Sequence, residues 1–350
     1  MRPSTGLPAR KRRALAGMAA ATIVVALAVA ACASPATTPA GASTAAGTSA
    51  PAGSAQGSAI PTASATEATA TASAAADSPS PAATATNAIP AFRHIYVIVM
   101  ENKEYGSIVG SKAAPYQNSL IAHYGLTTNF YAETHPSEPN YIALTSGGLQ
   151  GTSTDGSYDL AVPNLFDQIE ASGRTWHVYA QGYPGNCFKT YQANPVADGP
   201  GAVGDYVRKH NPAISYTSIS GNPARCANIT HLAGFDPAAA DFEMIIPNEI
   251  NDMHSSSVNA GDVFLKAFMP QVLDSTAFEG SVVFITWDEG DTNAKGGGHI
   301  ATLVLSPGMT PGARYDGACT HYSMLRTIEQ AWGLPYLGAA STAAPIALPY

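Results

Sequence analysis

The chain has 350 residues, 45% of them hydrophobic and 12% charged, with a formal net charge of −8. That balance argues against nucleic acid or an anionic membrane surface as a partner through bulk electrostatics. An anionic small molecule would need its charge neutralised locally, and a bound metal ion is the obvious means.

In chain order, Arg2, Arg10, Lys11, Arg12 and Arg13 precede an uncharged, mostly apolar stretch over residues 14–31. A basic start, an apolar middle and small residues at the end make an export signal over residues 1–31. The sequence Val29-Ala30-Ala31-Cys32 resembles a bacterial lipobox. It points to lipidation of Cys32 and to an exported protein that meets the membrane only through an N-terminal lipid anchor; the alternative is an ordinary cleaved signal. Loss of residues 1–31 removes five basic and no acidic residues, taking the charge from −8 to −13. Residues 32–88 are nearly all Ala, Ser, Thr, Pro and Gly, with Glu67 and Asp77 as the charged members. Such a tract cannot bury enough apolar surface to offset its ordering entropy, and reads as a tether. Residues 89–350, about 260 in all, suffice for one large α/β domain.

Within that domain, apolar and β-branched runs at 94–100, 242–246, 281–287 and 301–305 read as strands buried on both faces of a largely parallel sheet. Helical spacing is expected over 115–124, 164–172, 260–273 and 322–332. Alternating strands and helices imply a doubly wound α/β sheet, whose sites form beyond the carboxyl ends of strands. Glu101 and Asn102 follow the first run at once, and Asp288 and Glu289 follow the third. Four oxygen-bearing side chains at two strand ends suit a hard divalent cation (Ca, Mg, Mn or Zn).

Thr134-His135-Pro136-Ser137-Glu138-Pro139-Asn140-Tyr141 is the most informative segment. Pro139 suits the first turn of a helix, which would set Ser137 just ahead of a helix N-terminus, where anions are favoured. Of the cysteines after Cys32, Cys187 and Cys226 lie in a Gly/Pro/Asn-rich insertion, where a disulfide would help most; Cys319 is then a buried thiol. Lys189, Arg208, Lys209 and His210 cluster in the same insertion, as either the lining of a substrate entrance or a solvated loop.

The order and spacing of Val99-Met100-Glu101-Asn102, the 134–141 segment, Pro247-Asn248 with Asn251-Asp252-Met253-His254, Gly261-Asp262, Thr286-Trp287-Asp288-Glu289 and His321-Tyr322-Ser323 resemble the bacterial phosphoesterase family. That family spans secreted acid phosphatases and phospholipases C within the alkaline-phosphatase-like superfamily, and this chain is most similar to its short acid phosphatase branch. The resemblance implies Ser137 as nucleophile and Glu101, Asn102, Asp288 and Glu289 as metal ligands. It also implies His254 and His299 around the phosphate, with Asp252 close by. Chemically, metal coordination would favour the serine alkoxide, and a phosphoserine would form and then hydrolyse. Asn140 would hold a non-bridging oxygen, and His254, His299 or His135 would protonate the leaving group, favouring acidic pH. His321 could cap its helix or join the site. The expected substrate is a phosphate ester: a small molecule, a phosphoinositide or a phosphoprotein. A phospholipase C-type phosphodiesterase and a non-catalytic phosphate- or envelope-binding lipoprotein are the alternatives. A sulfatase is disfavoured, because no arginine completes a modification motif after Ser137.

Overall fold

The structure, a computed structural model, describes residues 89–190, 192–193, 198–199 and 205–350. The expected export signal, Cys32 and the 32–88 tether lie outside the described residues.

The first strand, β1 (Ile95–Met100), is IYVIVM with every residue buried, so both of its faces are covered. The others of the main sheet are β2 (Gly125–Tyr131), β3 (Trp176–Ala180), β4 (Ile229–Thr230), β5 (Phe242–Ile246), β6 (Val282–Trp287), β7 (His299–Leu305) and β8 (Ala313–Tyr315), and Gln192–Ala193 pairs with Tyr206–Val207 in a separate short ribbon. The eight numbered strands form one sheet in the order β8-β2-β7-β6-β1-β5-β3-β4. All pairs in that sheet are parallel except the two that β7 makes with β2 and β6. This is the expected doubly wound α/β architecture, and the runs expected at 94–100, 242–246, 281–287 and 301–305 are its four central β1, β5, β6 and β7 strands.

The long helices match the sequence pattern closely. Pro at the first turn opens α1 (Pro115–His123), and Asn164 caps α3 (Leu165–Ala171) by accepting from the Asp167 N–H. The stretch expected as one helix over 260–273 is instead α4 (Val258–Phe268) followed by a separate turn at Pro270–Leu273, because Pro270 cannot continue the ladder. A Thr320/Ser323 capping box starts α5 (His321–Trp332), and Gly333 ends it in the left-handed region. Helix α1 packs on α4, and α5 packs on α2 (Ser137–Ser146).

Four strands escaped the apolar-run criterion, β4 and β8 because they are only two and three residues long. In β2 the polar Thr127-Thr128-Asn129 interrupts the pattern, and the β2–β7 register shifts between Thr127 and Phe130. In β3 the five residues WHVYA are too short and too mixed to stand out.

Candidate active site

Three neighbouring strand ends deliver the acidic residues. Met100 pairs with Trp287 at the end of the β1–β6 ladder, and the Asp288 N–H donates to the Met100 carbonyl at 3.0 Å. On the other side, the Glu101 N–H donates to the Asp252 carbonyl at 2.8 Å, drawing the segment after β5 alongside. Asn102 then turns the chain with φ 35°, a left-handed conformation that asparagine tolerates better than most residues. Its N–H donates to Asp288 Oδ1 at 3.2 Å and its Nδ2 to Glu289 Oε1 at 2.9 Å.

The nucleophile candidate arrives from the next loop. The His135–Pro136 bond is cis, and α2 begins at Ser137 rather than at Pro139, so Ser137 is the first residue of the helix and not its predecessor. Ser137 is 1% exposed. Its Oγ donates to Glu101 Oε2 at 3.1 Å, with Glu289 Oε1 at 3.5 Å. Tyr141, one turn further along α2, donates its hydroxyl to the other oxygen of Glu101.

Packing so many carboxyl groups without solvent has an electrostatic consequence. Burial, then repulsion from Asp288 and Asp252, holds the Glu101 carboxyl well above the ordinary carboxylate range. Burial also raises Asp252 and Asp288, and pushes Glu289 up to about 9, with Asp288 adding to the shift. A divalent cation would allow these groups to ionise together. Among the described residues no three His, Cys, Asp or Glu side chains stand as a ready-made chelate. The donor chemistry nevertheless fits a hard cation: Asn102 Oδ1, Asp252 Oδ2 and Asp288 Oδ2 are buried acceptors with no hydrogen-bond partner.

The expected histidines and Asn140 are distributed differently from the sequence reading. Asn140 is a brace for its own loop. Its Oδ1 accepts from the Glu133 and Thr134 N–H groups at 3.1 and 3.2 Å, while its Nδ2 donates to the Thr134 and Pro136 carbonyls at 2.8 and 3.3 Å. With its amide so engaged, it has no group left to hold a substrate oxygen. His299 starts β7 and is stacked between Tyr105 and Tyr131, with ring centroids 4.4 and 4.8 Å away. Its Nε2 donates to the Thr128 carbonyl at 3.1 Å, so its ring packs the sheet margin instead of joining the carboxylates. His135 does reach the cluster: Nδ1 lies 2.7 Å from Glu289 Oε2, and Nε2 donates to the Thr292 carbonyl at 2.9 Å. That arrangement orients Glu289. Asp252 accepts from the His254 N–H at 2.7 Å, and His254 itself is partly exposed beside Glu249, Ser255 and Lys209.

The structure adds residues that the sequence reading left as an undifferentiated basic cluster. Arg208–His210 form a single buried 3₁₀ turn. His210 stacks on Tyr141 with centroids 5.4 Å apart, and its Nε2 and Nδ1 lie 3.1 Å from Glu101 and 3.4 Å from Asp252. Neither contact has hydrogen-bond geometry, so both buried nitrogens are unpartnered in that sense. Burial, then the positive charge of Lys209, pushes the His210 imidazole well below its usual range. Lys209 pairs with Asp155 at 3.2 Å, and Asp155 also accepts from the Glu138 N–H at the start of α2. Arg208 anchors the turn on the Tyr158 carbonyl and Asp159. The expected Cys187–Cys226 disulfide is present and brackets this turn, while Cys319 is a buried free thiol. Of the two alternatives for the cluster, Lys209 and His210 thus take the site-facing one, and Lys189 stays at the surface on Asp159.

A buried serine at a helix start, set among carboxylates at the carboxyl ends of parallel strands, defines a hydrolase-type site in a doubly wound fold. The chain belongs to the Phosphoesterase family, whose model matches residues 110–335. It is 32% identical over 264 residues to a phosphatidylinositol-3-phosphatase of Mycobacterium tuberculosis, covering 75% of this chain and 84% of that protein. It is 30% identical over 259 residues to a probable acid phosphatase of Kluyveromyces lactis, covering 71% of this chain and 60% of that protein. The fold is shared with a putative sulfatase of Bacteroides thetaiotaomicron at a TM-score of 0.51 and 12% identity, covering 73% of this chain and 74% of that one. The protein is therefore a hydrolase of phosphoester bonds.

Proposed function

We propose that the protein is an exported, metal-dependent phosphomonoesterase of acid phosphatase type that works through Ser137. The observation that carries this reading is the Ser137 hydroxyl, donated at 3.1 Å to a buried glutamate and flanked by a second one. Glu101, Asn102, Asp288 and Glu289 would hold a divalent cation, and their mainly carboxylate and carboxamide oxygens favour Mg, Mn or Ca. Bound there, such an ion would neutralise charge on the phosphoryl oxygens and lower the pKa of the serine hydroxyl.

In the first step Ser137 Oγ bonds to phosphorus while the ester P–O bond breaks, and its proton would pass to Glu101, which accepts it only in the ionised form that a bound cation would favour. The leaving oxygen takes a proton from the Lys209–His254 side of the site. Water then attacks the phosphoserine, releasing inorganic phosphate and restoring the hydroxyl. His210, neutral in its buried setting, is placed to donate to a phosphoryl oxygen from the one ring nitrogen that carries its proton. His254, lowered by burial and by Lys209, would be protonated only on the acidic side, which supports an acidic optimum. The likeness to a phosphatidylinositol-3-phosphatase makes phosphoinositide headgroups the first natural substrates to try. Export, with Cys32 as lipid anchor, rests on the N-terminal sequence.

The test is release of p-nitrophenol from p-nitrophenyl phosphate and from p-nitrophenylphosphorylcholine between pH 4 and 9, with and without EDTA, and release of phosphate from a short-chain phosphatidylinositol 3-phosphate. Monoester turnover that EDTA abolishes is the expected result. Turnover of the choline diester alone would move the protein to the phospholipase C side, and no turnover of any substrate with metal supplied would favour a binding protein.

A further inference from the structure

Outside the reacting groups, the buried ion pair between Glu133 and His321 is tied to both halves of the site. Glu133 opens the loop that carries His135 and Ser137, and its own N–H is held by Asn140. His321 is the first residue of α5 and is 1% exposed. Its Nδ1 is hydrogen-bonded to Glu133 Oε2, and its Nε2 donates at 3.0 Å to the carbonyl of Trp287, the residue before Asp288 and Glu289. The ladder between β6 and β7 stops at Thr286–Thr302, one residue short of Trp287. An imidazole therefore holds the Trp287 backbone on the side where pairing with β7 has ended. The Tyr322 N–H adds a 3.4 Å contact to Glu133 Oε1, and the Phe130 ring closes edge-on over the imidazole at 5.6 Å.

We infer that Glu133 and His321 are a positioning pair which fixes the Ser137 loop against the strand end bearing Asp288 and Glu289. Neither touches Ser137 or the carboxylate cluster directly, so neither is a catalytic residue. Three elements meet at the pair: the loop after β2, the end of β6 and the start of α5. Because a displacement of about 1 Å between reacting groups can cost about 100-fold in rate, such a clamp would act on kcat. A helix cap alone would not need it, since Thr320 and Ser323 already cap α5. The inference rests on the phosphomonoesterase reading.

The experiment measures kcat, KM and Tm for wild type, His321→Gln, His321→Phe, Glu133→Gln and the double variant Glu133→Gln/His321→Gln. Asn164→Ala serves as a control that loosens the start of α3, away from the pair. His321→Phe should lose about 100-fold in kcat with KM changed by less than about 3-fold. His321→Gln, whose amide N–H can still donate to the Trp287 carbonyl, should recover to within about 10-fold of wild type. The double variant should fall short of the product of the two single losses, because both act through one contact. Asn164→Ala should lower Tm and leave kcat near wild type. If His321→Phe does not fold, the two Gln variants and their coupling decide. The inference is overturned if the folded variants keep kcat within about 3-fold, or if Asn164→Ala, at a similar loss of Tm, loses as much kcat as they do. An inactive wild type would instead remove the phosphatase reading itself.

Discussion

Replacing Glu243 by glutamine should change the pH dependence of stability without touching the site. Glu243 lies in β5 between Tyr96 and His177 in the sheet register, and it is fully buried. One oxygen accepts from the Ala240 N–H at 3.2 Å, and Oε2 has no partner. Burial is the main reason its carboxyl is pushed up to about 8, from an ordinary 4.5. The folded chain thus keeps this proton at pH values where the unfolded chain has lost it. Between 4.5 and about 8 the folded state binds more protons, so stability falls as pH rises through that window and is lowest above it. From pH 5 to pH 8 the loss attributable to this one group is on the order of 3 kcal/mol, at about 1.4 kcal/mol per pH unit. Glu243→Gln removes the titration. Any cost of burying the amide is independent of pH, so the stability difference between variant and wild type should shift by about 3 kcal/mol in the variant's favour from pH 5 to pH 8. Urea unfolding of both proteins at the two pH values reads this directly. A difference that stays constant would mean that Glu243 is solvated or ionised in the fold, and the reasoning from burial would fail.

Further outcomes follow from other contacts. A Cβ on Gly261 would sit 2.4 and 2.5 Å from Met253 Cε and Cγ, and Met253, at φ 87°, separates Asp252 from His254. Gly261→Ala should cost about 1–3 kcal/mol by thermal melting and reduce kcat as well. The Cys187–Cys226 bond closes a separation of 39 residues around the Lys209–His210 turn. Its removal in Cys187→Ser/Cys226→Ser should cost about 4 kcal/mol on the loop-entropy account and lower phosphatase activity, both measurable on the same preparation. His299→Gln should leave kcat/KM within about 3-fold, whereas His210→Ala should reduce it by about 100-fold or more. Equal losses in those two variants would restore His299 to the site.

The parts legible in the sequence were those encoded by local pattern. Continuous apolar runs located β1, β5, β6 and β7, and the polar residues after β1, β5 and β6 were bound to lie together, because these parallel strands present their carboxyl ends on one edge. That is why Glu101, Asn102, Asp252, Asp288 and Glu289 share one place with Ser137. Side-chain direction is not a local property. Asn140 and His299 had suitable chemistry, yet loop bracing claimed one and two tyrosine rings the other. His210 is the converse case: its insertion carries no periodicity, and only the folded chain seats it on Tyr141 between Glu101 and Asp252. β2 was hidden by three polar residues at an irregularity in the register.

The central claim is that Ser137 accepts the phosphoryl group. The most direct measurement is acid quenching during turnover of a ³²P-labelled phosphomonoester, followed by peptide mapping of the trapped protein. Label on the peptide containing Ser137, absent together with turnover in Ser137→Ala, is the expected result. Turnover by Ser137→Ala, or label recovered on a histidine peptide, would contradict it.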